Sequence, residues 1–411
     1  MNNSYIYIND DVCFDLKTSS FIFNNKLFAS DVRNDIQHSI DFSIIQRRIA
    51  RFTSPRVITA LNLIPSMQCH GKCLYCYNED NNNQIMDMLT IDTIQKNITL
   101  LNQKYKLNLK ECRIYGGEPL LNVDIFDILE YLYNCFNVQI YMSSGLLFDN
   151  VYFVDILNKI EKLNFPISIG ISLDLGCKTI YTRKNNYNIT CNDLINRAKM
   201  INDITNSNVI LVTTISKYTD IITLEKDINY CISNLPDVTL RFAIACDDKL
   251  YPSITQIDEI CELLTQYVNN PNITNNIFPY YDIINSQHVV KINEDRYNIV
   301  FNDTSCGVFS NMINMLPNGE LIHCHMNPYD TSTEIINFNN NKNMILNPEC
   351  CDCEYWRVCR GGCYYRKQIN IESTRSYCYW IKRSFELALK RLYAKNKNLK
   401  YLLNNINELS I

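Results

Sequence analysis

The sequence predicts an α/β protein: a partial (β/α)6 TIM-like barrel followed by a small cysteine-rich domain. Three observations carry that expectation. From Val57 to about residue 268, short apolar runs alternate with longer amphipathic ones, the pattern of parallel strands covered by helices. The polar, turn-rich stretch "NNPNITNNIF" then ends the rhythm. Between Cys306 and Cys378 periodic elements give way to cysteines. Such a segment folds around metal more readily than around an apolar core.

The elements follow in order. "YIYIND" and "SFIFNN" alternate apolar and polar residues as half-buried strands do, and "DIQHSIDFSIIQRRIA" reads as a helix. Together they make an N-terminal hairpin-and-helix region over 1–56. "VITALNL" is the first barrel strand, followed by a cysteine loop and the helix "TIDTIQKNITLLNQKY", with Thr90 and Asp92 near its start as caps. Five more pairs continue the series: "ECRIYGG" with "VDIFDILEYLYNCF", "VQIYMSS" with "VYFVDILNKIEKL", "ISIGISLD" with "CNDLINRAKMIND", "VILVTTIS" with "LEKDINYCISN", and "VTLRFAIA" with "IDEICELLTQYV". Right-handed crossovers wind such units into a barrel or part of one. The barrel is placed at 57–290, the cysteine-rich domain at 300–383 and a terminal helix at 384–411.

The chain has 411 residues, 46% hydrophobic and 20% charged, with a net charge of -4. That balance suits a globular protein and gives no footing for nucleic acid or acidic membrane surfaces. No apolar run has the length of a membrane span. The N-terminus places polar and acidic residues where a signal peptide needs basic then apolar ones, so a cytoplasmic location is expected. There the 19 cysteines point to metal rather than to disulfides. Cys13, Cys112, Cys135, Cys177, Cys191, Cys231, Cys246 and Cys261 are scattered, mostly among apolar neighbours, and read as small buried hydrophobes. The rest form two groups.

The first group is "CHGKCLYC": Cys69, Cys73 and Cys76, spaced C-x3-C-x2-C directly after the first barrel strand. In barrels of this kind the loops after strands carry the chemistry. Thiolates bind zinc or iron-sulfur clusters, and a structural zinc wants four protein ligands. Three thiolates on a [4Fe–4S] cluster leave one iron open to a small molecule. Further on, "YGGEPLL" ends the second strand. Gly116 and Gly117 permit close approach to the backbone, and Glu118 can accept hydrogen bonds from an ammonium group.

On these two motifs, in this order and with the aromatic Tyr75 before the last cysteine, the sequence resembles the radical S-adenosylmethionine (SAM) superfamily. The resemblance implies a [4Fe–4S] cluster on Cys69, Cys73 and Cys76 whose open iron chelates SAM. Reductive cleavage of SAM would give a 5′-deoxyadenosyl radical that abstracts a substrate hydrogen. Tyr75, Gly116, Gly117 and Glu118 would border the SAM site. Ser172 and Asp174 in "ISLDLG" are similar to the family's Ser-x-Asp-Gly, with Leu175 where glycine is usual. "SSG" from Ser143 replaces a common Thr-Asn-Gly. Arg183 and Arg197 are candidates for the SAM carboxylate, and equally surface arginines.

The second group runs Cys306, Cys324, Cys350, Cys353, Cys359, Cys363 and Cys378, with Cys351 extra. A zinc ribbon is one reading of a C-x2-C pair. The whole order resembles the SPASM extension of radical SAM peptide-modifying enzymes, an iron-sulfur domain. The resemblance implies one or two auxiliary [4Fe–4S] clusters: an outer one on Cys350, Cys353, Cys359 and Cys378, and an inner one on Cys306, Cys324 and Cys363. The fully ligated pattern has another cysteine just before the position of Cys306, which this sequence lacks. The inner cluster is therefore expected to have an open iron or a non-cysteine ligand. His325 stands where the sulfatase-maturating branch has an aspartate, and it is the candidate catalytic residue. The expected function is peptide maturation, through a thioether or other crosslink, with a precursor peptide and an electron donor such as a flavodoxin or ferredoxin as partners. Formylglycine formation in a sulfatase is the alternative, and a non-catalytic iron-sulfur or zinc protein is the alternative of another class.

Overall fold

The structure is a computed structural model. The described residues are 5–7, 12–15, 20–23, 57–76, 78, 87–177, 182–245, 250–268, 277–278, 289–293, 296–299, 311–322, 324–326, 353, 355, 363 and 371–395. Six strand–helix units build the centre: β4 (Val57–Leu63) with α1 (Ile91–Lys104), β6 (Lys106–Ile114) with α2 (Ile125–Phe136), β7 (Gln139–Ser144) with α3 (Asn150–Glu161), β8 (Ser168–Leu173) with α4 (Cys191–Ile204), β10 (Asn208–Ile215) with α5 (Ile221–Asn234), and β11 (Thr239–Ile244) with α6 (Ile254–Val268). Strands β4, β6, β7, β8, β10 and β11 lie side by side in chain order, all parallel. This is the expected partial barrel.

Local chemistry explains the helix starts. Thr90, Asp149, Thr190 and Asp220 each cap a helix by accepting from a backbone N–H in its first turn. At α4, Thr190 and Asp193 form a reciprocal capping box. Asn137 ends α2 in the left-handed conformation, φ 50°. Asn122 donates to Pro65 O at 3.0 Å and Leu89 O at 2.9 Å, tying the loop after β6 to both ends of the loop between β4 and α1.

The sheet has two unlike faces. Ile114, Met142, Ile171, Leu211 and Phe242 are buried against helix residues such as Leu129, Leu157, Leu194, Ile228 and Leu264 in one core. Every second residue points the other way, and Arg113, Tyr141, Ser143, Ser168, Ser172 and Arg241 are half-buried there. In "ISIGISLD" the two faces differ. Ser168, Gly170 and Ser172 belong to the concave face.

Strand pairing crosses the expected domain divisions. Short strands β1 (Tyr5–Tyr7), β2 (Val12–Asp15) and β3 (Ser20–Phe23) do not stand alone: they join β13 (Val289–Asn293) and β14 (Arg296–Ile299) in one sheet, order β1-β2-β3-β14-β13. β15 (Met312–Met315) and β16 (Leu321–Ile322) lie within the expected cysteine-rich domain, yet they extend the barrel's sheet, and β15 pairs in parallel with β4. At that seam Asn62 donates to Asn314 at 2.7 Å, both side chains buried. Finally, α7 (Ile371–Lys395) runs unbroken through the expected division at 383/384 and packs on α6. Its Tyr377, Trp380 and Ile381 enter the barrel's core. The N-terminal helix reading and most of 327–370 lie outside the described residues.

Candidate active site

Four backbone hydrogen bonds shape the mouth of the barrel. Tyr115 N donates to Leu63 O at 2.9 Å, Gly117 N to Ser66 O at 2.9 Å, Glu118 N to Gln68 O at 2.7 Å, and Leu89 N to Pro65 O at 2.9 Å. The segment that follows β6 is thereby stitched to the one that follows β4, which leads straight to Cys69. Gly116 has φ +131°, and a Cβ on Gly117 would stand 2.2 Å from Gln68 O and 2.4 Å from Met67 O. The sequence assigned these glycines to ligand approach. The structure gives them a prior task, the approach of one backbone to another.

Glu118 is buried, and its carboxylate is fully engaged. It accepts from Ser144 Oγ at 2.8 Å, Gly145 N at 2.8 Å and Leu120 N at 3.3 Å. Burial raises its pKa against the opposing effect of these donors. It therefore locks the ends of β6 and β7 together.

The cysteine loop is held from its other side. β5 (Gly71–Cys73) pairs antiparallel with β9 (Arg183–Asn185), setting Cys73 opposite Arg183. Asp174, fully buried at the end of β8, accepts from Tyr75 Oη at 2.6 Å and Arg183 Nε at 3.2 Å. Arg183 Nη1 also points at Cys73 Sγ, 3.5 Å away. Burial, together with the charge of Asp174, pushes the Tyr75 phenol well above its usual range, so it donates as a neutral group. Ser172 and Ser143 sit half-buried on the concave face. Tyr75, Asp174 and Arg183 are thus brought together with the cysteines.

Arg197 is not with them. It is buried on α4, donates to Leu146 O and to Asn150 Oδ1, and lies over the rings of Phe148 and Phe153. It fastens α4 to the start of α3 and is no surface arginine.

Three thiols converge in the loop. A Cβ on Gly71 would lie 3.6 Å from Cys69 Sγ and 3.7 Å from Cys73 Sγ, within reach of both. Cys76 N donates to Cys73 O at 3.0 Å, turning the loop back. The Cys69 thiol is pushed up to about 12 by burial, with Glu118, Cys73 and Cys76 adding to the effect. Among the described residues no three His, Cys, Asp or Glu side chains close tightly enough around one point to hold a single metal ion. A cubane cluster asks for a different arrangement, one thiolate per iron spread around its body. Three cysteines with no fourth protein ligand beside them among the described residues suit that group better than a structural zinc, which asks for four.

Sequence reasoning did not find the aromatic wall of the concave face. Tyr115 stacks on His325 with centroids 5.0 Å apart and planes 9° apart, and Tyr141 lies beside Tyr115 at 6.0 Å. Gly170 makes room for Tyr141, since a Cβ there would meet Tyr141 Oη at 2.1 Å. Burial, with Arg113 acting in the same direction, lowers the pKa of His325 to about 4, so the imidazole is neutral. The available signal was the alternation of Tyr141 and Ser143 with Ile140 and Met142.

Of the second cysteine group, Cys324, Cys353, Cys363 and Cys378 are described and half-buried. Cys363 packs against the main core, and Cys378 rides on α7. Cys306, Cys350 and Cys359 lie outside the described residues, so the two expected ligand sets are not visible as sets. Of the scattered cysteines, Cys13, Cys112, Cys177, Cys231 and Cys261 are buried, but Cys135 is exposed.

Residues 63–227 match the model of the radical SAM superfamily. The chain carries a radical SAM domain. Over 79 residues it is 32% identical to the probable GTP 3′,8-cyclase of Methanococcus maripaludis, covering 19% of this chain and 26% of that protein. The chain thus spans about a quarter of the length of the curated relatives it matches. Likeness in structure extends further. SuiB of Streptococcus suis, bound to the precursor peptide SuiA, superposes with a TM-score of 0.54 at 15% identity over 83% of this chain and 82% of that one. Native anSMEcpe, with bound AdoMet and the Cp18Cys peptide, gives 0.56 at 17% over 86% and 100%. At these identities the likeness is one of fold, and it reaches past the radical SAM domain into the cysteine-rich region. No helix among the described residues is long and apolar enough to cross a membrane.

Proposed function

We propose that this radical SAM protein is a peptide-modifying enzyme. The observation that carries the reading is the cysteine loop, with three thiols gathered at the mouth of a parallel barrel and braced by Gly117, Glu118 and Arg183. When bound, a [4Fe–4S] cluster on Cys69, Cys73 and Cys76 together with SAM would supply a 5′-deoxyadenosyl radical for hydrogen abstraction.

The chain's own residues do the rest. The Tyr75–Asp174–Arg183 group fixes the loop. Glu118 and the two glycines fix the wall beside it. The half-buried Ser143 and Ser172 present hydroxyls to the mouth. The concave face, lined by Tyr115, Tyr141 and the neutral His325, receives a substrate with aromatic and polar contacts while limiting water.

A peptide substrate is supported by fold likeness to two proteins seen with peptides bound, and by the second cysteine group. We assign Cys350, Cys353, Cys359 and Cys378 to an outer auxiliary cluster and Cys306, Cys324 and Cys363 to an inner one. With three cysteines, the inner site has room for a substrate thiolate, which favours thioether formation by proximity. Oxidation of a cysteine or serine to formylglycine is the competing chemistry, and His325 in place of an aspartate weighs against it.

The test uses anaerobically reconstituted protein and dithionite. Wild type is expected to release 5′-deoxyadenosine from SAM. The Cys69→Ala/Cys73→Ala/Cys76→Ala variant is expected to release none while retaining iron at the C-terminal sites. Equal cleavage by this variant would remove the reading. Mass loss of about two hydrogens from a Cys-containing precursor peptide, absent in its Ser variant, separates a thioether from formylglycine.

A further inference from the structure

The small sheet that carries Cys73 has a second face. Gly71 and Arg183 are buried and Cys73 half-buried on one side, while Lys72 and Lys184 are exposed on the other. The register sets Lys72 directly opposite Lys184. Like charges facing each other across an antiparallel pair are about 5 Å apart at Cβ and cost stability. Neither lysine is neutralised by an ion pair among the described residues. Among the described residues, β5 and β9 are already joined through Arg183, Asp174 and Tyr75 on the inner side.

Apolar surface flanks the lysines. Leu74 is 38% and Tyr187 40% exposed, and Tyr187 stands edge-on to His70 of the cysteine loop at 5.4 Å. A basic pair beside exposed apolar groups is complementary to an acidic partner surface, and the same patch on a second copy of the chain would meet it with like charge. Its position suits one kind of partner. Lys72 is the covalent neighbour of Cys73, and Lys184 that of Arg183, whose guanidinium meets the Cys73 sulfur. Anything docked here sits one backbone thickness from a thiol.

We infer that the outer face of β5 and β9, with Lys72, Lys184, Leu74 and Tyr187, is the docking surface for a small acidic one-electron carrier protein, which delivers the electron through the Cys73 edge of the site. The inference rests on the proposed radical SAM activity and names where its electron enters. A small, charge-steered contact is what transient electron-transfer pairs use.

The experiment mixes reconstituted full-length protein with reduced flavodoxin by anaerobic stopped flow, following cluster bleaching at low and high salt. A parallel arm uses photoreduced 5-deazariboflavin, a small reductant with no protein surface. Lys72→Glu/Lys184→Glu is expected to slow flavodoxin-driven reduction about tenfold at low salt and to flatten its salt dependence. Lys72→Gln/Lys184→Gln should give an intermediate effect. The readout is the ratio of the two rates, so a variant with less cluster still answers. An unchanged ratio in both variants overturns the inference. So does protection of Lys72 and Lys184 from amine modification by an acidic substrate peptide but not by flavodoxin, which would give the face to the substrate. If deazaflavin-reduced wild type cleaves no SAM, the proposed function fails by itself, and the rate ratio still judges the surface.

Discussion

Arg183 and Cys73 face each other across the β5–β9 register, and the arginine's Nη1 lies 3.5 Å from the cysteine's sulfur. The same guanidinium pairs with the buried Asp174 at 3.2 Å. One side chain therefore ties the cysteine loop to the end of a barrel strand.

That tie depends on charge balance. Asp174→Asn leaves Arg183 buried without its counter-ion, and breaking one side of a buried pair costs about 3–5 kcal/mol. Urea unfolding of the metal-free protein is expected to show a loss of that order. The double variant Asp174→Asn/Arg183→Met should recover much of it. A single variant as stable as wild type would mean that the pair does not brace the loop.

Gly117→Ala is expected to harm the protein before any ligand is present. Its Cβ would meet two backbone oxygens at 2.2 and 2.4 Å, which cannot give way as a flexible side chain can. A destabilisation of about 1–3 kcal/mol is expected, read as a lower thermal midpoint of metal-free protein. If the midpoint holds and only SAM affinity falls, the glycine serves the ligand alone.

Arg197→Lys should separate structure from binding in the opposite sense. A lysine cannot reproduce the forked contact with Leu146 O and Asn150 or the stacking on Phe148 and Phe153. We expect a loss of about 1–3 kcal/mol in unfolding free energy with SAM affinity within twofold of wild type. A selective collapse of SAM binding would return Arg197 to the list of ligand contacts.

The contact between α6 and α7 gives a prediction about the cysteine-rich region. Tyr379 Oη donates to Asp258 at 2.7 Å, and Arg383 Nε stands 2.9 Å from the same carboxylate. Arg383 also pairs with Glu386, which accepts from Tyr355 Oη at 3.0 Å. Tyr355 follows Cys353 by two residues and Tyr379 follows Cys378 directly. Tyr379→Phe, a loss of about 1.5–3 kcal/mol for a hydrogen bond to a charged group, should reduce iron bound per chain in protein already lacking Cys69, Cys73 and Cys76. Unchanged iron content would mean that this contact positions no cluster.

The strand–helix order was readable because each unit announces itself: an apolar run such as "VITALNL", then a capped amphipathic segment such as Thr90 to Lys104. The three-cysteine loop was readable from spacing. What could not be read depended on distant pairing. Nothing local in "MINM" says that it will lie beside β4, and nothing local in Arg197 says that it will point inward to Leu146. The packing at Gly117 was hidden for the same reason: the atoms that crowd it belong to residues 67 and 68, far away in sequence.

The seam between β4 and β15 carries a consequence for biosynthesis. Asn62 and Asn314, which meet there, are 252 positions apart in the chain. On a ribosome the barrel units emerge in order and can pair as they appear. The outer rim of β4, however, stays bare until residue 315 has cleared the exit tunnel. During that interval the nascent chain presents an unprotected edge next to its cysteine loop. Closing so long a segment is slow relative to local pairing. Full-length synthesis is therefore the step at which the strand leading into the cysteine loop gains its last neighbour, and a product truncated before β15 would leave that strand's edge open beside the loop.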